Sequence, residues 1–194
     1  MSTEANTLLR IAEVVLRTSR YDQMRAWYAS VLEIDPYCEH LPPMAAQASA
    51  EAGHGEPSWE SQSRLSFFRL LLDHPYIQVI ALFDVPTAEL AAPAGPGLHH
   101  MQLRDASLST MAARYRRLKA LGIEPFRTVD HGPSLSFYYH DPDCNVVEIA
   151  ASNHASVEAY LAALASPEFS RNPSGRHVDA DAVTALICAR AEQP

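Results

Sequence analysis

At 194 residues the chain has the length of one domain or a tight pair of half-domains, taking about 150 residues per domain as the guide. Hydrophobic residues make up 47% and charged residues 20%, which excludes a disordered chain. The net charge of -8 gives no basic footprint for nucleic acid or an anionic membrane, and no apolar run approaches the roughly 20 residues of a spanning helix.

The β-branched stretch from Ile11 to Thr18 predicts a strand. In the following RYDQMRAWYASVLEI, Met24, Trp27, Tyr28, Val31 and Leu32 recur at three- and four-residue steps, the mark of one buried helix face. Asp35 to Gln62 holds several prolines and glycines without a period, so it predicts a long loop with a short strand near Tyr37 to His40. Within that loop, Leu41 to Ser58 is expected to be mobile or to serve as a lid. Two strands, Leu65 to Leu72 and Tyr76 to Phe83, should flank a turn at Asp73-His74-Pro75, and Val85 to Gly97 reads as a linker. The order then restarts. GLHHMQLRD predicts a strand, and Leu108 to Leu121 a helix with Ser107 or Ser109 as N-cap and Gly122 just past its end. Strands are expected at Phe126 to Asp130, Leu135 to His140 and Val146 to Ala151, then helices at Ser156 to Ala165 and Ala180 to Ala191.

This order is an internal repeat. Glu13-Val-Val-Leu-Arg17 aligns with His100-Met-Gln-Leu-Arg104, and Leu32-Glu33-Ile34 aligns with Leu121-Gly122-Ile123. The expectation is an α+β fold of duplicated βαβββ modules, residues 9–84 and 97–152, forming a curved mixed sheet around a concave site. Residues 153–194 would be a C-terminal helical extension. A four-stranded sheet with one helix leaves a face uncovered, so two such modules should share a core. Cys38, Cys144 and Cys188 are widely spaced with no CxxC pair, which argues against a disulfide framework. With an opening segment that holds Glu4 and no apolar core, they suit a cytoplasmic protein.

Strand alternation places Glu13, His100 and Glu148 on cavity-facing sides, each ionisable in the middle of an apolar strand. Any one alone reads as a partly exposed side chain, or in the case of His100 as a satisfied core histidine. All three at equivalent ends of a repeat read as metal ligands, because a charge in a strand centre is costly unless it is paired or metal-bound. One imidazole and two carboxylates suit Fe(II), Mn(II) or Zn(II).

GLHHMQLRD followed by a helix, then DHGPSLSFYYHDPDCNVVEIA, resembles the vicinal oxygen chelate superfamily of glyoxalase I, bleomycin-resistance proteins and extradiol ring-cleavage dioxygenases. The run from His131-Gly132 through Tyr138 and Asp141-Pro142-Asp143 to Glu148 is most similar to the catechol or biphenyl-diol type dioxygenases. The resemblance covers roughly Leu9 to Asn153 and is more specific in the second half. It implies Fe(II) held by His100 and Glu148, with Tyr138 and His131 as catalytic residues that stabilise oxyanions or move protons. It also implies a small aromatic substrate and O2 as reactants, and leaves a homo-oligomer open.

Three positions depart from that pattern. Glu13 stands where the dioxygenases have a first-strand His, although glyoxalase I accepts other ligands there. Ile77-Gln78 replaces a His pair, one member of which acts as acid or base, with His74 four residues away. Cys144 replaces the glycine of a DPDG turn, which suggests a different turn. Ring cleavage with O2 is thus one expectation. Another metal-assisted isomerase, lyase or hydrolase reaction, or non-catalytic binding of a small aromatic ligand, is the alternative. His40, His54, His154 and His177 are expected to face solvent, and His99 to point away from His100. His140 should either line the pocket or pack, and Arg17 and Arg104 should pair with acids or touch an anionic substrate.

Overall fold

The computed structural model describes residues 10–40, 63–73, 76–85 and 98–191. The expected lid, His54, His74 and nearly all of the expected linker lie outside these residues. The chain divides into two compact units, residues 1–91 and 92–194.

The first unit runs β1 (Glu13–Thr18), α1 (Tyr21–Leu32), β2 (Cys38–His40), β3 (Leu65–Asp73) and β4 (Tyr76–Asp84). Its sheet has the order β1-β4-β3-β2, with β1 parallel to β4 and the other pairs antiparallel. Helix α1 forms because Tyr21, Met24, Tyr28 and Val31 fall on one face, and all four are buried. The Tyr28 ring lies 6.2 Å from that of Phe68 on β3. Arg64 ties the helix start to the sheet, with Nε on Asp84 at 2.7 Å and a terminal nitrogen on Asp22 at 2.9 Å.

The second unit runs β5 (Met101–Arg104), α2 (Leu108–Ala120), β6 (Arg127–Asp130), β7 (Ser134–His140), β8 (Val146–Ser152), α3 (Val157–Leu164), α4 (Pro167–Arg171), β9 (Arg176–His177) and α5 (Ala180–Ala191). Its sheet has the order β5-β8-β7-β6-β9, again with the first strand parallel to the fourth. A reciprocal cap between Ser107 and Thr110 starts α2, which settles the N-cap on Ser107. Met111, Ala112, Tyr115 and Leu118 bury its inner face, and Tyr115 meets Phe137 of β7 edge-to-face at 5.1 Å. The fold is thus α+β with the βαβββ order repeated, as the sequence predicts.

Three features differ from the sequence reading. Strand β5 begins only at Met101, so residues 98–100 are not in a ladder. The short helix α4 and the two-residue strand β9 were not expected, since neither is long enough to show a period. The Asp141 to Asn145 turn keeps the left-handed residue that glycine would supply, with Cys144 at φ 66°. Its backbone is held by the Asp141 carboxylate, whose Oδ1 accepts from the N–H groups of Asp143 at 3.0 Å and Asn145 at 2.8 Å.

Candidate metal centre

Strand register builds the site. Glu148 on β8 lies opposite Tyr138 on β7 and Gln102 on β5, and Tyr138 lies opposite Arg127 on β6. Residues directly opposite share a face, so these four form one row across the sheet. Their neighbours Phe137, Val147 and Ile149 turn the other way and are buried. Glu148 is only 3% exposed. Its Oε2 lies 2.9 Å from Nε2 of His100, whose side chain is 33% exposed. A carboxylate this buried costs several kcal/mol unless it is paired, and an imidazole is a partner only while it carries the right proton.

His99 does not point away from His100. Their Nδ1 atoms are 2.7 Å apart, because strand alternation cannot apply to residues that precede the ladder. A carboxylate only accepts, so His100 carries its proton at Nε2 on Glu148's side, and in the neutral ring its Nδ1 then accepts from Nδ1–H of His99.

Tyr138 is 9% exposed. Burial pushes its phenol above the ordinary value, the neighbouring Glu148 charge adds to that, and Arg127 opposes it. The phenol therefore stays protonated through neutral pH. Its oxygen lies 3.1 Å from Nε2 of His131, and Nδ1 of His131 lies 3.0 Å from the carbonyl oxygen of Pro173. The His100 ring stands edge-on to Tyr138 at 6.1 Å.

The remaining candidates separate clearly. His140 is exposed and stacks on Phe126 at 4.0 Å rather than lining a cavity. Arg104 donates to the Tyr160 hydroxyl at 3.3 Å, while Arg17 is exposed on β1. His177 is exposed as expected. His154 is not simply solvated: its Nε2 is buried, and the residue shares with His131, Phe169 and Arg176 the lining of a pocket of about 520 Å³. The sequence signal for Arg127 was its position opposite Tyr138, which needs the strand pairing to be known.

Glu13 is exposed at the start of β1, opposite Val79. Gln78 is also exposed and reaches the Ile11 carbonyl at 3.5 Å. Within the second unit and among the described residues, no third His, Cys, Asp or Glu is placed to hold an ion together with His100 and Glu148, His99 meeting His100 at Nδ1 instead. One imidazole nitrogen and one buried carboxylate are the donor types a divalent first-row ion takes, so these two residues fit such an ion.

No protein-family model matches the chain. Over 171 residues it is 34% identical to biphenyl-2,3-diol 1,2-dioxygenase 2 of Rhodococcus globerulus, a match that covers 88% of this chain and 77% of that protein. It is 31% identical over 151 residues to biphenyl-2,3-diol 1,2-dioxygenase 3 of the same organism, covering 77% of this chain and 66% of that one. Among solved structures, a glyoxylase/bleomycin resistance protein/dioxygenase domain from Frankia sp. EAN1pec superposes with a TM-score of 0.57 at 16% identity, covering 77% and 96% of the two chains. A glyoxalase/dioxygenase from Nostoc punctiforme gives 0.53 at 15% identity, covering 79% and 99%. These two share the fold. The chain belongs to the vicinal oxygen chelate superfamily. Its curated relatives there are the biphenyl-2,3-diol dioxygenases, which makes it a dioxygenase-like member.

Proposed function

We propose that this protein is a non-haem Fe(II) dioxygenase that opens a catechol-like aromatic ring with O2, with His100, Glu148 and Glu13 as metal ligands. The observation that carries the reading is the buried Glu148 carboxylate against His100 Nε2, in the same row as the Tyr138 phenol. Fe(II), when bound, supplies a Lewis acid that holds substrate oxygens and O2 in one geometry. Mn(II) or Zn(II) suits the same donors.

The chain's own groups have separate tasks. His100 and Glu148 offer one nitrogen and one carboxylate from adjoining positions. Tyr138, kept protonated by burial and by Glu148, is a hydrogen-bond donor toward an oxyanion of the substrate. His131 exchanges a proton at Nε2 with the Tyr138 hydroxyl. The free cysteines Cys38, Cys144 and Cys188 accord with a cytoplasmic home.

Glu13 and Gln78 favour a second reading, a metal-assisted isomerase, lyase or hydrolase reaction on the same scaffold. Both stand where the dioxygenases have histidine, and glutamine moves no proton near neutral pH. The test is anaerobic loading with Fe(II), followed by oxygen uptake with biphenyl-2,3-diol and simpler catechols. Uptake of one O2 per substrate, with a product heavier by both oxygen atoms, is the expected result. Tight metal binding without any uptake would overturn ring cleavage in favour of the second reading.

A further inference from the structure

The C-terminal segment beyond α4 has no part in the repeated modules, yet it meets His131. The turn Asn172 to Gly175 is closed by Gly175 N–H donating to the Asn172 carbonyl at 3.1 Å and by Asn172 Nδ2 donating to the Gly175 carbonyl at 2.9 Å. Strand β9 then pairs with β6, Val129 opposite His177 and Asp130 opposite Arg176. Arg176 donates to Asp130 Oδ2 at 3.2 Å. Gly175 fits at φ 73° so closely that a Cβ there would lie 2.6 Å from the Asp130 carbonyl oxygen and from a Val129 methyl. The turn is thereby pinned against the residue before His131, and the Pro173 carbonyl arrives 3.0 Å from His131 Nδ1.

A carbonyl oxygen only accepts, so His131 Nδ1 must carry a proton. In the neutral ring Nε2 is then the bare acceptor, and it is the atom 3.1 Å from the Tyr138 hydroxyl. We propose that the 172–177 segment is a positioning element for His131, its Pro173 carbonyl selecting the tautomer in which Nε2 accepts the Tyr138 proton. A proton passed from Tyr138 to Nε2 gives an imidazolium whose Nδ1–H still rests on Pro173, and its return restores the neutral ring. The opposite tautomer would set the bare Nδ1 against the Pro173 carbonyl oxygen, two acceptors facing each other. The part of this that concerns turnover rests on the ring-cleavage reading, while the tautomer itself does not.

The experiment is a long-range proton–nitrogen correlation on the full chain with labelled histidine, at a pH well above imidazole's ordinary range. His131 should appear with Nδ1 protonated and Nε2 bare. Asn172→Ala, which only loosens the turn, and Gly175→Ala, which displaces it, should both shift the ring toward the Nε2-protonated form. Arg171→Gln, which removes an exposed pair with Glu168 and an exposed bond to the Pro167 carbonyl, should leave it alone. On a ring-cleavage substrate the first two variants should lower kcat about tenfold with little change in KM and alter the shape of the pH profile. A wild-type ring protonated at Nε2, or variants that keep the wild-type tautomer, would overturn the proposal. If the tautomer behaves as stated but no catechol is cleaved, the ring-cleavage reading fails and the positioning of His131 stands.

Discussion

Ala81 and Glu148 hold corresponding positions in the two sheets, Ala81 opposite Val15 on the parallel pair β1–β4 and Glu148 opposite Gln102 on β5–β8. Both are buried, at 0% and 3% exposure. The duplicated scaffold therefore has a methyl group where its second copy has a carboxylate, and the first unit cannot mirror the His100–Glu148 pair. An alanine is at ease in that setting and a carboxylate is not, so the second unit carries a stability cost that a bound cation would offset.

Glu148→Gln should expose that trade. Affinity for Fe(II) or Mn(II) should fall at least about tenfold, measured by titration of the metal-free protein. The melting temperature without metal should hold or rise, and the extra stability conferred by added metal should vanish. Unchanged affinity would remove Glu148 from the ligand set.

Glu13→His restores the residue type of the related dioxygenases on β1. Metal affinity should be kept or tightened, and oxygen uptake with catechols should rise, because a neutral ligand leaves the ion a stronger Lewis acid. Loss of metal binding in this variant would argue that position 13 is not a ligand.

Cys144→Gly relieves a left-handed residue held at φ 66° by the Asp141 turn. The strain of a side chain there is about 1–2 kcal/mol, and glycine gives back about 0.5–1 kcal/mol in chain entropy. A net gain of up to about 1 kcal/mol is expected, read as a higher urea midpoint at unchanged slope.

Asp105 should shape the acid limb of the stability curve. Burial raises its carboxyl, but Arg114 Nε at 2.8 Å on Oδ2 and the Ala106 N–H at 2.9 Å on Oδ1, with Thr110, hold it below the ordinary value overall. The unfolded chain thus binds this proton more readily than the folded one. The stabilisation is complete above about pH 4 and is lost as pH falls through the lower folded value. Asp105→Asn should flatten that limb and cost about 1 kcal/mol at neutral pH, followed by denaturant titrations across the acid range.

The repeat and the row of the site could be read from the sequence because both rest on period. Two-residue alternation placed Glu148 away from Ile149 and Val147, and a helical period placed Met24 and Tyr28 inward. The match of Leu32-Glu33-Ile34 with Leu121-Gly122-Ile123 also has a structural counterpart, since Glu33 and Gly122 end their helices at φ 61° and 76°. Alternation failed at His99, where it was carried one step beyond the strand. The Pro173 contact had no signature at all, since it belongs to a backbone carbonyl brought in by a strand of two residues. His154 shows the same limit: a pocket wall shared with Phe169 of α4 and Arg176 of β9 cannot be read from a polar local sequence.

Strand β9 also bears on how copies of this chain behave toward one another. Without it β6 would be the outer strand of its sheet, with backbone groups around Thr128 to Asp130 open to a strand from another molecule. The Val178 N–H on the Thr128 carbonyl at 3.1 Å extends that cover past the ladder itself. Such open edges recruit foreign strands and seed aggregation. A chain ending before Arg176 should thus lose solubility on concentration, a failure of self-avoidance that assays of the metal site alone would mistake for a damaged active centre.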